Sequence, residues 1–183
     1  MKTLRDALLL ALALGVAATA VIAMPCVAQA QEDTAEAGDR YYDRALRYVK
    51  TKKYDKAVEF FEKALPYKNE SSDIFYNLVN TAEAIKDYER VYFYALGFLY
   101  LEPDTDDARA VVRKQKAALK ALKKRKLAPV EVTFAIEPAG IELTINDVVL
   151  GRAQRTPLQL LPGQYTVKAS KLDYIDLSHP FEV

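Results

Sequence analysis

Between Ala35 and about Lys126 the apolar residues recur at helical spacing. Ala57, Phe60, Phe61, Ala64 and Leu65, for example, fall on one stripe of an amphipathic helix. Breaks at Thr51-Lys52-Lys53, Pro66 to Ser72, Lys86-Asp87 and Glu102-Pro103-Asp104 divide this region into short, paired helices. From Pro129 the period changes to two, and Val130, Val132, Phe134 and Ile136 are predicted to share one sheet face. Strands are expected at Val130–Glu137, Ile141–Ile145, Val148–Gly151, Leu158–Leu160 and Gln164–Ser170, with a last one near Phe181-Glu182-Val183. Asn146-Asp147 is a tight hairpin turn. Composition changes with the pattern, from Ala, Lys, Glu and Tyr to Val, Ile, Thr, Pro and Gly, that is, from helix formers to strand formers. The predicted fold class is multidomain α + β, a short helical array followed by a small all-β unit.

The first 30 residues follow a different rule. Lys2 and Arg5 precede an unbroken apolar run from Ala7 to Met24, and Ala28-Gln29-Ala30 supplies the small residues that a signal peptidase accepts. Residues 1–30 are therefore expected to be a cleaved export signal, and residues 31–37 a polar mature N-terminus. An uncleaved anchor is the alternative, since about 18 apolar residues can span a bilayer. Lipidation at Cys26 is disfavoured by Pro25 immediately before it. Cleavage would remove the only cysteine, leaving a chain without disulfides or a thiolate nucleophile and with 24 basic and 24 acidic side chains. An exported, periplasmic or envelope-associated bacterial protein is the expectation.

Within the helical part, Tyr41 and Phe75, Tyr54 and Tyr88, Ala57 and Val91, Glu59 and Phe93, and Asn69 and Pro103 are each 34 residues apart. On this period the region resembles the tetratricopeptide repeat, with copies at about 38–71 and 72–105 inside an array spanning 38–126. Ala45 and Tyr48 match the family's small and aromatic positions, and Tyr54 to Leu65 reads as its second helix. The second copy keeps Lys86-Asp87-Tyr88 and Leu101-Glu102-Pro103. It departs at Val79, Val91 and Phe98, where small residues are usual, so a splayed or offset helix pair is expected there. A capping helix at 104–126 opens on Thr105-Asp106-Asp107, residues suited to a helix N-terminus, and Val111, Ala118, Leu119 and Leu122 supply its apolar stripe.

After a linker at 127–129, residues 130–183 resemble the PEGA domain. The resemblance rests on Ile136 to Asp147, then Gly151, Thr156-Pro157-Leu158, and Leu161-Pro162-Gly163-Gln164-Tyr165-Thr166-Val167. Ala139-Gly140 reverses the usual order, and Leu172-Asp173-Tyr174 replaces the customary Gly-Tyr. The resemblance implies a small β-sandwich of the carboxypeptidase-regulatory type.

Candidate chemistry is sparse. The single histidine, His179, reads as a surface residue, no cofactor or metal site is expected, and no Gly-rich phosphate loop surrounds Gly151. A non-enzymatic role is therefore expected; a hydrolase would need carboxylates converging from both units. The repeat resemblance implies a groove lined by the first helix of each pair, which nominates Tyr41, Arg44, Tyr48, Asn77, Asn80 and Thr81 for partner contact. Arg113, Lys116, Lys120, Lys123, Lys124, Arg125 and Lys126 make the last helix basic. That pattern suits either a solvated helix C-terminus or an anion-binding stripe. Nucleic acid is not expected as a partner, because it is not normally available outside the cytoplasm and no aromatics interleave these cations. Two functions follow: an exported adaptor that binds protein partners through the groove, with the β unit docking on the envelope or a second partner, or an envelope binder of anionic lipid or polysaccharide through the basic helix and β unit.

Overall fold

The computed structural model describes residues 25–134, 141–152, 157–170 and 177–183. Among the described residues five helices come first: α1 (Pro25–Lys50), α2 (Tyr54–Lys68), α3 (Ser72–Ala84), α4 (Tyr88–Leu101) and α5 (Asp106–Lys124). Six strands follow: β1 (Val130–Val132), β2 (Glu142–Ile145), β3 (Val148–Arg152), β4 (Leu158–Leu160), β5 (Gln164–Ser170) and β6 (Leu177–Glu182). They form two antiparallel sheets, β1-β4 and β3-β2-β5-β6. The protein is a mixed α+β chain with helices and strands segregated along the sequence, as the change in residue preference predicts. The apolar run Ala7–Met24 lies outside the described residues, and so do Ile136, Ala139-Gly140, Thr156 and Leu172-Asp173-Tyr174. Among the described residues no helix is long and apolar enough to cross a membrane.

Residues 31–37, expected as a polar mature N-terminus, are part of α1. The stretch contains neither proline nor glycine, and Glu36 pairs with Arg40 one turn on at 3.2 Å, so nothing local ends the helix. Gly38 follows where α1 meets α2 closely: a Cβ there would lie 2.6 Å from Cβ of Tyr67. The expected break from Pro66 begins later, because α2 runs through Pro66 to Lys68.

The 34-residue period reappears as backbone geometry. α1 ends with Lys52 in the left-handed region (φ 57°), and its last carbonyls accept from Lys52 N (onto Val49 O, 2.9 Å) and Lys53 N (onto Tyr48 O, 2.9 Å). α3 ends in the same way at Lys86 (φ 59°), with Lys86 N donating to Glu83 O and Asp87 N to Ala82 O, both at 3.0 Å. Each closure satisfies two orphan carbonyls and reverses the chain, so that α2 and α4 start at equivalent positions, Tyr54 and Tyr88. α5 stops by the same device at Lys126 (φ 62°), and Leu127 packs with Leu122. At the other ends, the Asp87 carboxylate accepts from Arg90 N and the Thr105 hydroxyl from Ala108 N, both at 3.1 Å.

The helical core is built on Phe61, Ile74, Phe75, Leu78, Val79, Val91 and Val111, all essentially fully buried. Val79, Val91 and Phe98, the bulky departures from the repeat pattern, are all inside it. Gly97 stands next to Phe98 and leaves room where α4 meets both α3 and β3. A Cβ at Gly97 would lie 2.6 Å from Val148 Cγ1 of β3 and 3.0 Å from the Phe75 ring.

That contact marks a seam between the two units. Val148 is fully buried within the helical core, Phe93 of α4 packs on Tyr165 of β5 with ring centroids 5.9 Å apart, and Leu161 joins Tyr92 and Leu122 in one cluster. The Tyr92 hydroxyl donates to Gln159 O across the seam at 3.1 Å. The 127–129 linker therefore joins two units already packed face to face on α4.

Within the β unit, Asn146 (φ 48°) and Asp147 (φ 63°) form the expected tight turn between β2 and β3. Asn146 also braces β5, accepting from Thr166 N through its side chain at 2.8 Å and donating its own N–H to Thr166 O at 2.9 Å. The first strand is shorter than expected, ending at Val132, because its partner β4 offers only Leu158–Leu160. Val130 is 47% exposed, so it does not share the buried face. Val132 and Phe134 do, and Phe134 meets Phe181 edge to face at 5.3 Å. Pro180 lies in β6, an edge strand, where a missing N–H can be tolerated.

Candidate functional site

The six residues nominated for one groove divide between two places. Tyr41, Arg44 and Tyr48 recur at i, i+3 and i+7 on α1, and that stripe faces Phe60 of α2. The Tyr41 and Tyr48 rings lie 6.3 and 5.4 Å from Phe60, and Tyr41 also stacks on Tyr67 at 6.4 Å. Arg44 holds its guanidinium carbon 4.4 Å from the Phe60 ring centre, while Lys63 Nζ lies 4.7 Å from the same centre. Phe60 is thus a half-buried ring with two cations close to its centre, a favourable arrangement for its quadrupole.

On α3, Asn77 points to the neighbouring stripe of α1, donating to the Tyr42 hydroxyl and to Asp73 O, each at 2.9 Å. Burial and the Asp73 carboxylate raise the pKa of Tyr42 above the ordinary phenol value. Thr81 is 3% exposed and donates its hydroxyl proton to Asn77 O at 2.6 Å, which withdraws it from any surface. Its phase explains the correction: Thr81 shares the inward side of α3 with Leu78 and Ala82. Asn80 remains half-exposed.

The α1–α2 face is therefore the one place where nominated side chains converge. Residues 44–56 hold six cations, Arg44, Arg47, Lys50, Lys52, Lys53 and Lys56, against one acid, Asp55. None of the six is in an ion pair among the described residues, whereas flanking Arg40, Lys63 and Lys68 pair with Glu36, Glu59 and Asp39. The Tyr48 hydroxyl feels this field. Arg44 beside it, and then the charges of Lys56 and Lys53, hold its pKa below the ordinary value. A recess of about 420 Å³ opens here, its described lining being Arg44, Arg47 and Tyr48. Tyr67 completes the face, 44% exposed.

The basic helix has a different character. Arg113, Lys116, Lys120, Lys123, Lys124, Arg125 and Lys126 lie along α5 and its C-terminal turn, with Lys123 to Lys126 exposed. Arg125 lies 5.7 Å from the Tyr88 ring centre, and the neighbouring cation Lys114 pairs with Glu83 of α3. His179 is exposed on edge strand β6.

Sequence reasoning missed two groups. Glu62 is shared by Arg90 Nε and the Tyr94 hydroxyl, each at 2.7 Å, and Asp87 binds Arg90 Nη1 at 2.6 Å, tying α2 to α4. These partners raise the pKa of Arg90, and burial followed by Glu62 raises that of Tyr94. The other is the lining of the seam between α4 and the β4–β5 turn. Charge alternation could hint at the first; nothing local announces the second. Comparison of the chain with family models, with curated proteins and with solved structures finds no match.

Proposed function

We propose that the protein is a non-enzymatic, exported adaptor that binds a protein partner through its helical unit, with the β unit docking on the envelope or a second partner. The observation that carries this reading is the α1–α2 face. Tyr41, Arg44, Tyr48, Phe60 and Tyr67 form an aromatic and cationic surface that stays half open to solvent. Tyr and Arg are the residues that dominate binding energy at protein interfaces, because they offer large area with polar tips at low entropic cost. The tetratricopeptide-like reading of the helices draws support from the repeated left-handed closures at Lys52 and Lys86. The PEGA-like reading of the β unit draws support from the Asn146-Asp147 hairpin and the antiparallel sheets. Export rests on the composition of residues 1–30. Crosslinking in intact cells with wild-type chain and with Arg44→Ala plus Tyr48→Ala tests the adaptor. Loss of a specific crosslinked partner in the double variant is the expected outcome, and an unchanged partner set would reject the face.

The run Lys120, Lys123, Lys124, Arg125 and Lys126 favours a second reading, binding of anionic lipid or polysaccharide by α5. It requires liposome binding that weakens steeply with salt and disappears on reversal of Lys123, Lys124, Arg125 and Lys126.

A further inference from the structure

The seam between the units contains a cavity of about 230 Å³, lined by Glu89, Arg90, Tyr92 and Phe93 of α4 and by the chain from Leu160 to Tyr165. Its two phenol oxygens are acceptors. A phenol has a single proton, and both phenols here have committed theirs to backbone carbonyls: Tyr92 to Gln159 O at 3.1 Å and Tyr165 to Leu161 O at 2.8 Å. Their oxygens can only accept. Pro162 has no N–H, and Gly163 N donates to Val183 O at 3.2 Å. Arg90 is turned to Glu62 and Asp87, which offset its charge. Gln164 carries both donors and acceptors on its side chain and decides nothing.

Glu89 in the lining is an exposed carboxylate in no ion pair among the described residues. Burial raises the Tyr165 phenol above its ordinary pKa, and Glu89 and then Tyr92 add to the effect, so all three share one electrostatic neighbourhood. The charged lining residues are Glu89 and Arg90; Glu62 and Asp87, which lie outside the lining, offset Arg90, so the neighbourhood holds three carboxylates against one guanidinium, and Tyr92, Phe93 and Tyr165 supply aromatic walls. Acceptors, aromatic walls and excess negative charge together match a cation that carries several N–H donors.

We propose that this cavity receives a guanidinium or alkylammonium group, such as the head of an arginine or lysine side chain. Its volume is that of several waters at about 30 Å³ each, enough for such a head and part of its stem. Because α4 supplies one wall and the β4–β5 turn the other, an occupant would bridge the two units. The inference is independent of the adaptor reading, which rests on the α1–α2 face.

The test titrates ¹⁵N-labelled chain with three probes: N-acetyl-argininamide, its uncharged citrulline counterpart, and methylguanidinium. Saturable shifts of the Gly163, Gln164 and Tyr165 amides with the arginine probe, absent with citrulline, are expected. Glu89→Gln should weaken binding by about tenfold, with its spectrum unchanged away from the seam showing that it folds. Equal affinity for methylguanidinium would mean that a free small cation suffices, and weaker affinity would mean that the side-chain stem is also recognised. No saturable shift, equal shifts with citrulline, or indifference to Glu89→Gln would overturn the proposal.

Discussion

The helices α2 and α4 occupy equivalent places in the two helical hairpins, yet their outward faces are opposite in chemistry. Glu59 and Lys63 of α2 form an exposed i,i+4 ion pair at 2.5 Å; at the equivalent places in α4 stand Phe93 and Gly97, packed against Tyr165 and Val148. The backbone frame is the same in both, down to the left-handed lysines at Lys52 and Lys86. Charge is kept where the face meets water. Bulk is placed, or removed, where the β unit lies against it. One hairpin thus presents a free face and the other a face already occupied by the β unit.

Valine placed at each of two equivalent positions should separate the two faces most strongly. Gly97→Val should cost about 2–3 kcal/mol, since overpacking against Val148 and Phe75 outweighs any gain in helix propensity. Lys63→Val at the equivalent exposed site should change stability by less than about 0.5 kcal/mol. Urea denaturation of both variants gives the contrast directly, and equal costs would contradict the close seam.

A smaller effect is expected from the tie between the hairpins. Tyr94→Phe removes a hydrogen bond to the Glu62 carboxylate and should cost about 1.5 kcal/mol. The same group sets an alkaline limit. Folding raises the Tyr94 pKa above the unfolded value of 10.0, so above that pH the unfolded state loses its proton first and stability falls as pH rises. Tyr42, Tyr92 and Tyr165 are shifted in the same direction. Thermal midpoints followed from about pH 8 upward should therefore drop beyond about pH 10, with a shallower drop in Tyr94→Phe.

Smallest, and opposite in sign, are the left-handed lysines. Lys52→Gly or Lys86→Gly relieves a side chain at positive φ and should stabilise by up to about 1 kcal/mol, read as a higher denaturation midpoint. Equal gains at the two sites would strengthen the equivalence of the hairpins.

Much of this frame is legible in the amino-acid sequence alone. The helical period around Phe61, the breaks at Lys52 and Lys86, the Thr105 cap and the Asn146-Asp147 turn are local signals, and local signals survive folding. The candidate surface is legible only in part. Tyr41, Arg44 and Tyr48 share a stripe, but whether that stripe faces a groove or the partner helix depends on packing, and Phe60 decides it. Thr81 reads as polar and hence exposed, yet its hydroxyl is satisfied within α3 and its side chain is buried. The seam is not legible at all, since Val148 and Gly97 are 51 residues apart and neither carries a motif for the other.

The most direct test of the free α1–α2 face is quantitative capture of a crosslinked partner from intact cells by three chains: wild type, Arg44→Glu plus Tyr48→Ala, and Lys124→Glu plus Lys126→Glu. A partner held by the first and third chains and lost from the second is the outcome expected of an adaptor that works through α1–α2. A partner held equally by the second chain, or lost only from the third, would contradict it.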